Sequence, residues 1–311
     1  LAHVEYDITD SITVFVEGGY GRSAANFHAP VARDQSPRAI VIRRDNAFLP
    51  AEIAAIMDAN AITSFPLGRS NNDFGEVRAT NVNTTERFVG GAKGELGAGW
   101  SWDAYYQYGR NTFDSELDNH RIEQNFQYSL DAIIDGGQAV CRDPAARAAG
   151  CVPINLFGLG APSQEAIDYV TGTPQQRATT KLDVAGVSLR GEPFSLPAGD
   201  VSIAVGLEAR KEQTDQRIGE LDAAKAFKTF SFSAMSGEFS VKEAFAEVLV
   251  PIVKDLPILN DLQFNAAARI SDYDTTGSIW SWKVGATNEF FPGFRGRVTQ
   301  SRDIRSANLS E

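Results

Sequence analysis

At 311 residues, with 43% hydrophobic and 22% charged side chains, the chain has a folded protein's composition and the length for one large all-β body or two ordinary domains. No run approaches the roughly 18 apolar residues of a spanning helix, which excludes a helical membrane protein but not a barrel, whose strands are apolar only at alternate positions; the mean hydropathy of -0.22 fits such averaging. A formal net charge of -11 excludes a general nucleic-acid binder, because phosphate affinity needs clustered Lys and Arg.

The chain opens at Leu1 without a Met, a basic segment or an apolar export segment, and it stops at Glu311 within a strand-to-loop passage. The expectation is an internal piece of a longer polypeptide. A first tight turn is expected at 7–10. GGYGRS, running from Gly18 to Ser23, has no helix pattern after it and no phosphate-binding Lys, so it reads as a strand end. A long connection then spans about 23–83. Inside it LPAEIAAIMDANAI has helix formers, a Pro suited to a first turn at Pro50, and apolar spacing at Ile53, Ile56 and Met57, which predicts a short surface helix with Met57 as packing.

After a turn at 96–99, GWSWDAYYQYGR alternates with period two. Trp100, Trp102, Ala104, Tyr106 and Tyr108 take one face, and Ser101, Asp103, Tyr105, Gln107 and Gly109 the other. A second long connection covers about 113–178. It contains CRDPAARAAGC, whose Cys141 and Cys151 are close enough to pair, and SQEAIDYV, where Ser163 can cap a helix carrying Ala166, Ile167 and Val170. Such a bridge is worth about 2–3 kcal/mol and needs an oxidising compartment.

VSIAVGLEAR sets Val201, Ile203, Val205, Leu207 and Ala209 against Ser202, Ala204, Gly206, Glu208 and Arg210. LQFNAAARIS sets Leu262, Phe264, Ala266, Ala268 and Ile270 against Gln263, Asn265, Ala267, Arg269 and Ser271, and Trp280, Trp282, Val284 and Ala286 stand apart from Ile279. Turns at 193–199, 251–261 and 291–293 are short, whereas connections at about 215–235 and 273–278 complete the other set. Repetition over roughly ten strands, with charged and small residues on the wet face, predicts an all-β fold: an antiparallel transmembrane β-barrel wall, short turns to the periplasm and long helix-bearing loops outside. Aromatics at strand ends (Tyr20, Trp100, Trp102, Tyr273, Trp280, Trp282, Phe290 and Phe291) fit two interfacial girdles.

The C-terminal part, from Val241 to Glu311, resembles the barrel of TonB-dependent receptors. SRDIRSANLSE is similar to that family's recurring Arg-Asp/Xaa-Ile-Arg-Ala-Pro-Asn-Leu-Xaa-Glu-Leu segment, on Arg302, Asp303, Ile304, Arg305, Asn308, Leu309 and Glu311, with Ser306 and Ala307 where Ala and Pro are usual. CVPINLFG with SQEAIDYV resembles an outer loop of members with long loops, and VSIAVGLEARKE the strand after it; the likeness is denser after about residue 141. The resemblance implies a barrel of about 22 strands around an N-terminal plug, taking in a ferric siderophore, cobalamin, oligosaccharide or similar scarce ligand with energy passed on by TonB. The TonB complex would act through a plug not visible in these residues, and outer-membrane lipid and lipopolysaccharide would surround the wall.

Ligand contacts are expected from lumen-facing or loop-base side chains: Tyr105, Gln107, Arg110, Asn111, Arg190, Arg210, Arg269 and Lys283. Arg and Tyr together hold an anionic chelate or stack on a sugar ring; the plainer alternative is a hydrated wall whose side chains pair with one another. Arg302, Asp303 and Arg305 read as a lumen charge cluster that fixes strand register. With only His3, His28 and His120, no triad or HExxH zinc helix is available, so neither enzyme, metal nor cofactor is expected. The acidic groups Asp272 with Asp274, and Asp114 with Glu116 and Asp118, read as solvated loop charges rather than a calcium site. Two competing classes are a ten-stranded outer-membrane barrel enzyme and a soluble secreted β-rich binding domain.

Overall fold

The computed structural model describes residues 1–35, 40–305 and 308. Ten long strands dominate: β1 (Ala2–Thr9), β2 (Ile12–Ala29), β3 (Val77–Gly97), β4 (Trp100–Leu117), β5 (Gln175–Leu196), β6 (Gly199–Ile218), β7 (Met235–Leu256), β8 (Leu259–Tyr273), β9 (Gly277–Phe291) and β10 (Phe294–Arg302). They lie in one sheet in chain order, each antiparallel to its sequence neighbour. The expected antiparallel sheet is therefore present. Among the described residues β1 and β10 pair on one side only, so the sheet is open and not a closed barrel.

One end of the sheet carries the short connections, at 10–11, 98–99, 197–198, 257–258 and 292–293. Each of these five hairpins has a register shift beside its turn, and none of the four pairings joined by longer connections has one. The bulges explain two prolines. Pro193 falls in the shift between Gly191 and Phe194, and Pro251 at the edge of another, beyond the last β6–β7 pair, where a missing N–H costs no ladder bond. The turns are consequently narrower than 193–199 and 251–261.

The turns at 257–258 and 292–293 are both Pro followed by a residue with positive φ, which suits type II and favours Gly second. Gly293 meets that demand at φ 84°, but Ile258 is held at φ 69° with its side chain exposed. A β-branched residue there is strained by about 1–2 kcal/mol. Ile258→Gly is expected to gain about 0.5–1 kcal/mol after the glycine's extra chain entropy is subtracted, read as a higher midpoint in denaturant unfolding.

At the other end, the described residues of 30–35 and 40–76, with 118–174 and 219–234, form a cap with its own core. Ile40, Ile42 and Phe74 from the first segment pack with Phe126, Leu130, Ile154, Leu156, Ala166, Ile167 and Val170 from the second. Helix α1 (Ala51–Ala59) follows Pro50 and buries Met57, as its pattern predicted. Helices α2 (Glu123–Leu130), α3 (Pro144–Ala148) and α5 (Glu220–Ala223) were not anticipated, whereas α4 (Gln164–Val170) was, with Ser163 Oγ accepting from the Ala166 N–H at 3.2 Å. Cys141 and Cys151 form the expected disulfide, which ties the strand Gln138–Cys141 to the chain beyond α3.

Register joins the separate alternating runs into two continuous faces. On one, Val16, Gly90, Tyr106, Ala185 and Ala209 lie across neighbouring strands, and one step nearer the short turns lie Val14, Ala92, Ala104, Val187, Leu207, Ala244, Ile270 and Trp280. This apolar band is uncovered: Val16 is 62% exposed, Phe88 56%, Leu207 60%, Trp280 54% and Val298 77%. Its loop-side limit is oblique to the ladder. On β4 the last member is Tyr108, but its β5 partner is Asp183; on β6 it is Ala209, but its β7 partner is Lys242. Trp100, Trp102, Trp280 and Trp282 belong to the band's face, whereas Tyr273 faces the other way, paired with Val241 and beside Phe239, and so departs from the expected girdle.

Candidate functional site

The opposite face of the sheet is polar. Successive ladder rows read Ser101, Arg190, Ala204, Glu247, Ala267, Lys283; then Asp103, Ser188, Gly206, Phe245, Arg269, Ser281; then Tyr105, Gly186, Glu208, Glu243, Ser271. Of the sequence-predicted ligand residues, Tyr105, Gln107, Asn111, Arg190, Arg210, Arg269 and Lys283 lie on this face. Arg110 does not: it shares the side of Tyr108 and stands opposite Lys181 above the apolar band, because its position is one residue out of step with Gln107. The expectation of a lumen-facing Arg110 is corrected on that ground.

Most of these side chains are held by neighbours. Tyr105 Oη donates to Glu208 Oε2 at 3.1 Å, and its ring covers Gly186, where any Cβ would collide with it. Gln107 Oε1 accepts from Arg87 Nε at 3.1 Å, and Arg87 also pairs with Glu17. Asn111 donates to Asn83 Oδ1 and Thr85 Oγ1, and Arg190 Nε donates to Ser101 Oγ at 2.8 Å. Arg269 spans Glu243 at 3.4 Å and the Phe245 ring at 5.3 Å, while Ser271 Oγ donates to the same Glu243. Arg210 Nε sits 3.2 Å from Glu212 Oε1, yet the geometry is not that of a hydrogen bond, and this nitrogen is buried without one.

A hollow of about 370 Å³ between Arg190, Glu247, Asn265 and Lys283 brings two of the predicted cations together. Asn265 Oδ1 is buried there without a partner. Next to it Arg269, Lys283 and Asp303 share a smaller hollow. Asp303 accepts from Ser301 Oγ at 3.0 Å, but Arg302 lies opposite Trp282 on the apolar side, so the expected cluster of Arg302, Asp303 and Arg305 is split at the sheet. Leu309 and Glu311 of the family-like segment, with Ser306 and Ala307, lie outside the described residues.

The cap adds a site that sequence reasoning missed. Asp34 is fully buried and accepts from Arg121 Nη1 at 2.9 and 2.7 Å, from Asn71 Nδ2 at 2.9 Å and from Lys228 Nζ. Burial pushes its carboxyl up, but the hydrogen bonds of Lys228 and Asn71 and the charge of Arg121 outweigh that and hold it below the ordinary value. Arg121 also pairs with Glu123 at 2.8 Å and lies 3.9 Å above the Phe126 ring. All three loop segments thus meet at one carboxylate. A cleft of about 630 Å³ opens beside it, lined by Arg43, Asn46, Glu123, Gln124, Gln127 and Tyr128 among others.

A second buried carboxylate, Asp222, accepts from the Gln175 N–H at 2.9 Å and the Phe232 N–H at 2.8 Å, fixing the third loop to the start of β5. His120 lies nearby, edge-on to Phe227 and 2.9 Å from Thr229 Oγ1. Burial lowers its pKa, offset in part by Asp222 and reinforced by Arg121. Because the folded value lies below the unfolded one, the unfolded cap binds the extra proton first, and stability falls as pH drops below the ordinary 6.5. Amide protection in 219–234, taken relative to the intrinsic exchange rate at each pH, is expected to fall between pH 7 and 5, and His120→Gln to remove that dependence.

Of the acidic groups, Asp114 accepts from Arg177 at 2.6 Å, Asp272 from Ser278 and Asp274 from Ser240. Among the described residues no three or more His, Cys, Asp or Glu side chains come together as metal ligands. No family model matches the chain, and no curated protein matches it.

Proposed function

We propose that this sheet is part of the wall of an outer-membrane β-barrel and that the protein is a TonB-dependent receptor, taking up a scarce ligand such as a ferric siderophore or an oligosaccharide. The single observation that supports the reading most is the uncovered apolar band running across ten strands, backed by a polar face whose side chains bind one another. In water so wide an exposed patch is costly, since soluble monomers keep contiguous apolar patches to a few hundred Å². Facing hydrocarbon it is favourable, and the run from Val201 to Ala209 matches the ~9–11 residues of a tilted spanning strand.

The asymmetry of the connections supports an orientation, with short turns in the periplasm and the disulfide-bonded cap outside. A spanning sheet also requires both free edges to be paired, because unpaired N–H and C=O groups cost several kcal/mol each in hydrocarbon. The transport part of the reading comes from the resemblance of SRDIRSANLSE and the segments before it. In this arrangement Arg190, Arg269 and Lys283, interleaved with Asp103, Glu243 and Glu247, give the channel side a mixed-charge surface that offers hydrogen-bond donors and acceptors to a polar ligand.

In its native cells the protein is expected in the outer-membrane fraction, migrating faster on a gel when unheated than when boiled. Deleting its gene is expected to abolish uptake of one scarce solute, and uptake should stop when the inner membrane is de-energised. Recovery as a soluble protein without detergent, with one mobility at all temperatures, would defeat the barrel reading.

A further inference from the structure

The cleft in the cap beside Asp34 has its cations matched from within. Arg121 is bound to Asp34 and Glu123, and Lys228 to Asp34. Arg43 stands 3.7 Å from Asp131, which also accepts from Arg142 Nε at 2.9 Å. With Asp143 the walls hold four carboxylates against these three cations, so the cleft offers no positive surplus. An anionic chelate placed here would leave its charge uncompensated and face Glu123, Asp131 and Asp143, which selects against it.

The groups left over are neutral donors and acceptors. Gln124 and Tyr128, both on α2, line the cleft, and among the described residues neither side chain has a hydrogen bond or an ion pair. Asp143 Oδ1 accepts from the Ala146 N–H at 2.8 Å, and its other oxygen is open. Ile40, Val41 and Leu130 supply an apolar flank. An amide, a phenol and a carboxylate oxygen match hydroxyl groups, each of which donates once and accepts twice. The flank and the Tyr128 ring suit the C–H faces of a sugar. A volume of about 630 Å³ falls within the ~300–1,000 Å³ of small-ligand sites. Resting on the uptake reading above, we propose that this cleft is the recognition site for a neutral oligosaccharide, and that it decides between the two ligand classes in favour of the sugar over an anionic iron chelate. Residues from all three loop segments line it, so the Asp34 hub that joins those segments also holds the site together.

The test is a glycan-array screen of the detergent-purified protein, followed by calorimetric titration with the neutral oligosaccharides it selects, their uronic-acid counterparts and iron(III) tris-catecholate. A neutral oligosaccharide is expected to bind with an affinity that is flat between about 50 and 500 mM salt, because no net charge is being paired. The uronic-acid counterpart should bind more weakly, and iron(III) tris-catecholate should neither bind nor compete. Gln124→Ala combined with Tyr128→Ala is expected to weaken binding about tenfold or more, a loss of one or two hydrogen bonds and the ring contact. Tyr128→Phe keeps the ring and should lose less. Asp143→Asn still caps α3 and should weaken binding several-fold, while Glu52→Gln, which does not line the cleft, should bind as the wild type does. Amide exchange of the cap separates binding from folding, and if Tyr128→Ala loosens it, Gln124→Ala, at an exposed position, carries the test alone. No neutral glycan bound, equal affinity in the Gln124 and Tyr128 variants, or tighter binding of the iron chelate would overturn the site. Uptake by intact cells tells the two claims apart. Gene-dependent, energy-dependent uptake of the iron chelate without glycan binding defeats this inference alone, whereas glycan binding at the cleft with uptake unchanged by deletion of the gene defeats the uptake reading and leaves the cleft standing.

Discussion

Asp34→Ala is expected to open the loop cap while leaving the sheet paired. The substitution removes the one carboxylate that faces both Arg121 and Lys228, so two cations are left against each other in a site where Arg121 is almost completely buried. Asn71 loses its acceptor in the same step. Removing one partner of a buried ion pair costs about 3–5 kcal/mol, far more than the intact pair contributes over an apolar replacement. The cap's remaining core is modest, and the ladder hydrogen bonds of the sheet do not pass through Asp34, so the loss falls on the cap.

Limited proteolysis and hydrogen exchange read the outcome directly. Residues 40–76 and 118–174 should lose protection in Asp34→Ala, with the protection of the ten long strands retained. The pH dependence has a fixed sign: the depressed carboxyl contributes stability above the ordinary 3.8 that is lost as pH falls through its lower folded value. Asp34→Leu combined with Arg121→Met and Lys228→Met is expected to recover much of the loss, because an apolar trio has no charge to desolvate. Unchanged protection in Asp34→Ala would show that the loops do not depend on this hub.

The second large effect concerns Leu207→Lys at the middle of the apolar band. If the band faces hydrocarbon, an ammonium there destabilises the protein in a bilayer by about 2–4 kcal/mol. If it faces water, replacing an exposed Leu by Lys changes stability by roughly 0.5 kcal/mol or less. The matched control is Ala204→Lys, on the polar face between Arg190 and Glu247, where the change should be small in either setting. Denaturant unfolding from lipid vesicles, followed by tryptophan fluorescence, measures both variants. Equal stabilities for the two would count decisively against a lipid-facing band.

Strands and faces were legible in the residue order because a strand side chain alternates sides whatever its neighbours are. Thus 100–108, 201–209 and 262–270 declare both their extension and their apolar side, and Cys141 with Cys151 and the Ser163 cap are local enough to read directly. Arg110 was legible too. Its parity with Tyr108 sets it on the apolar side. The tertiary structure alone decided two things. Register determined that the separate apolar stripes align into one oblique band, since pairing depends on turn length and bulges and not on any one strand. Loop packing brought Asp34, Asn71, Arg121 and Lys228 to a single point, and with Lys228 standing 194 residues from Asp34 no local pattern records that contact.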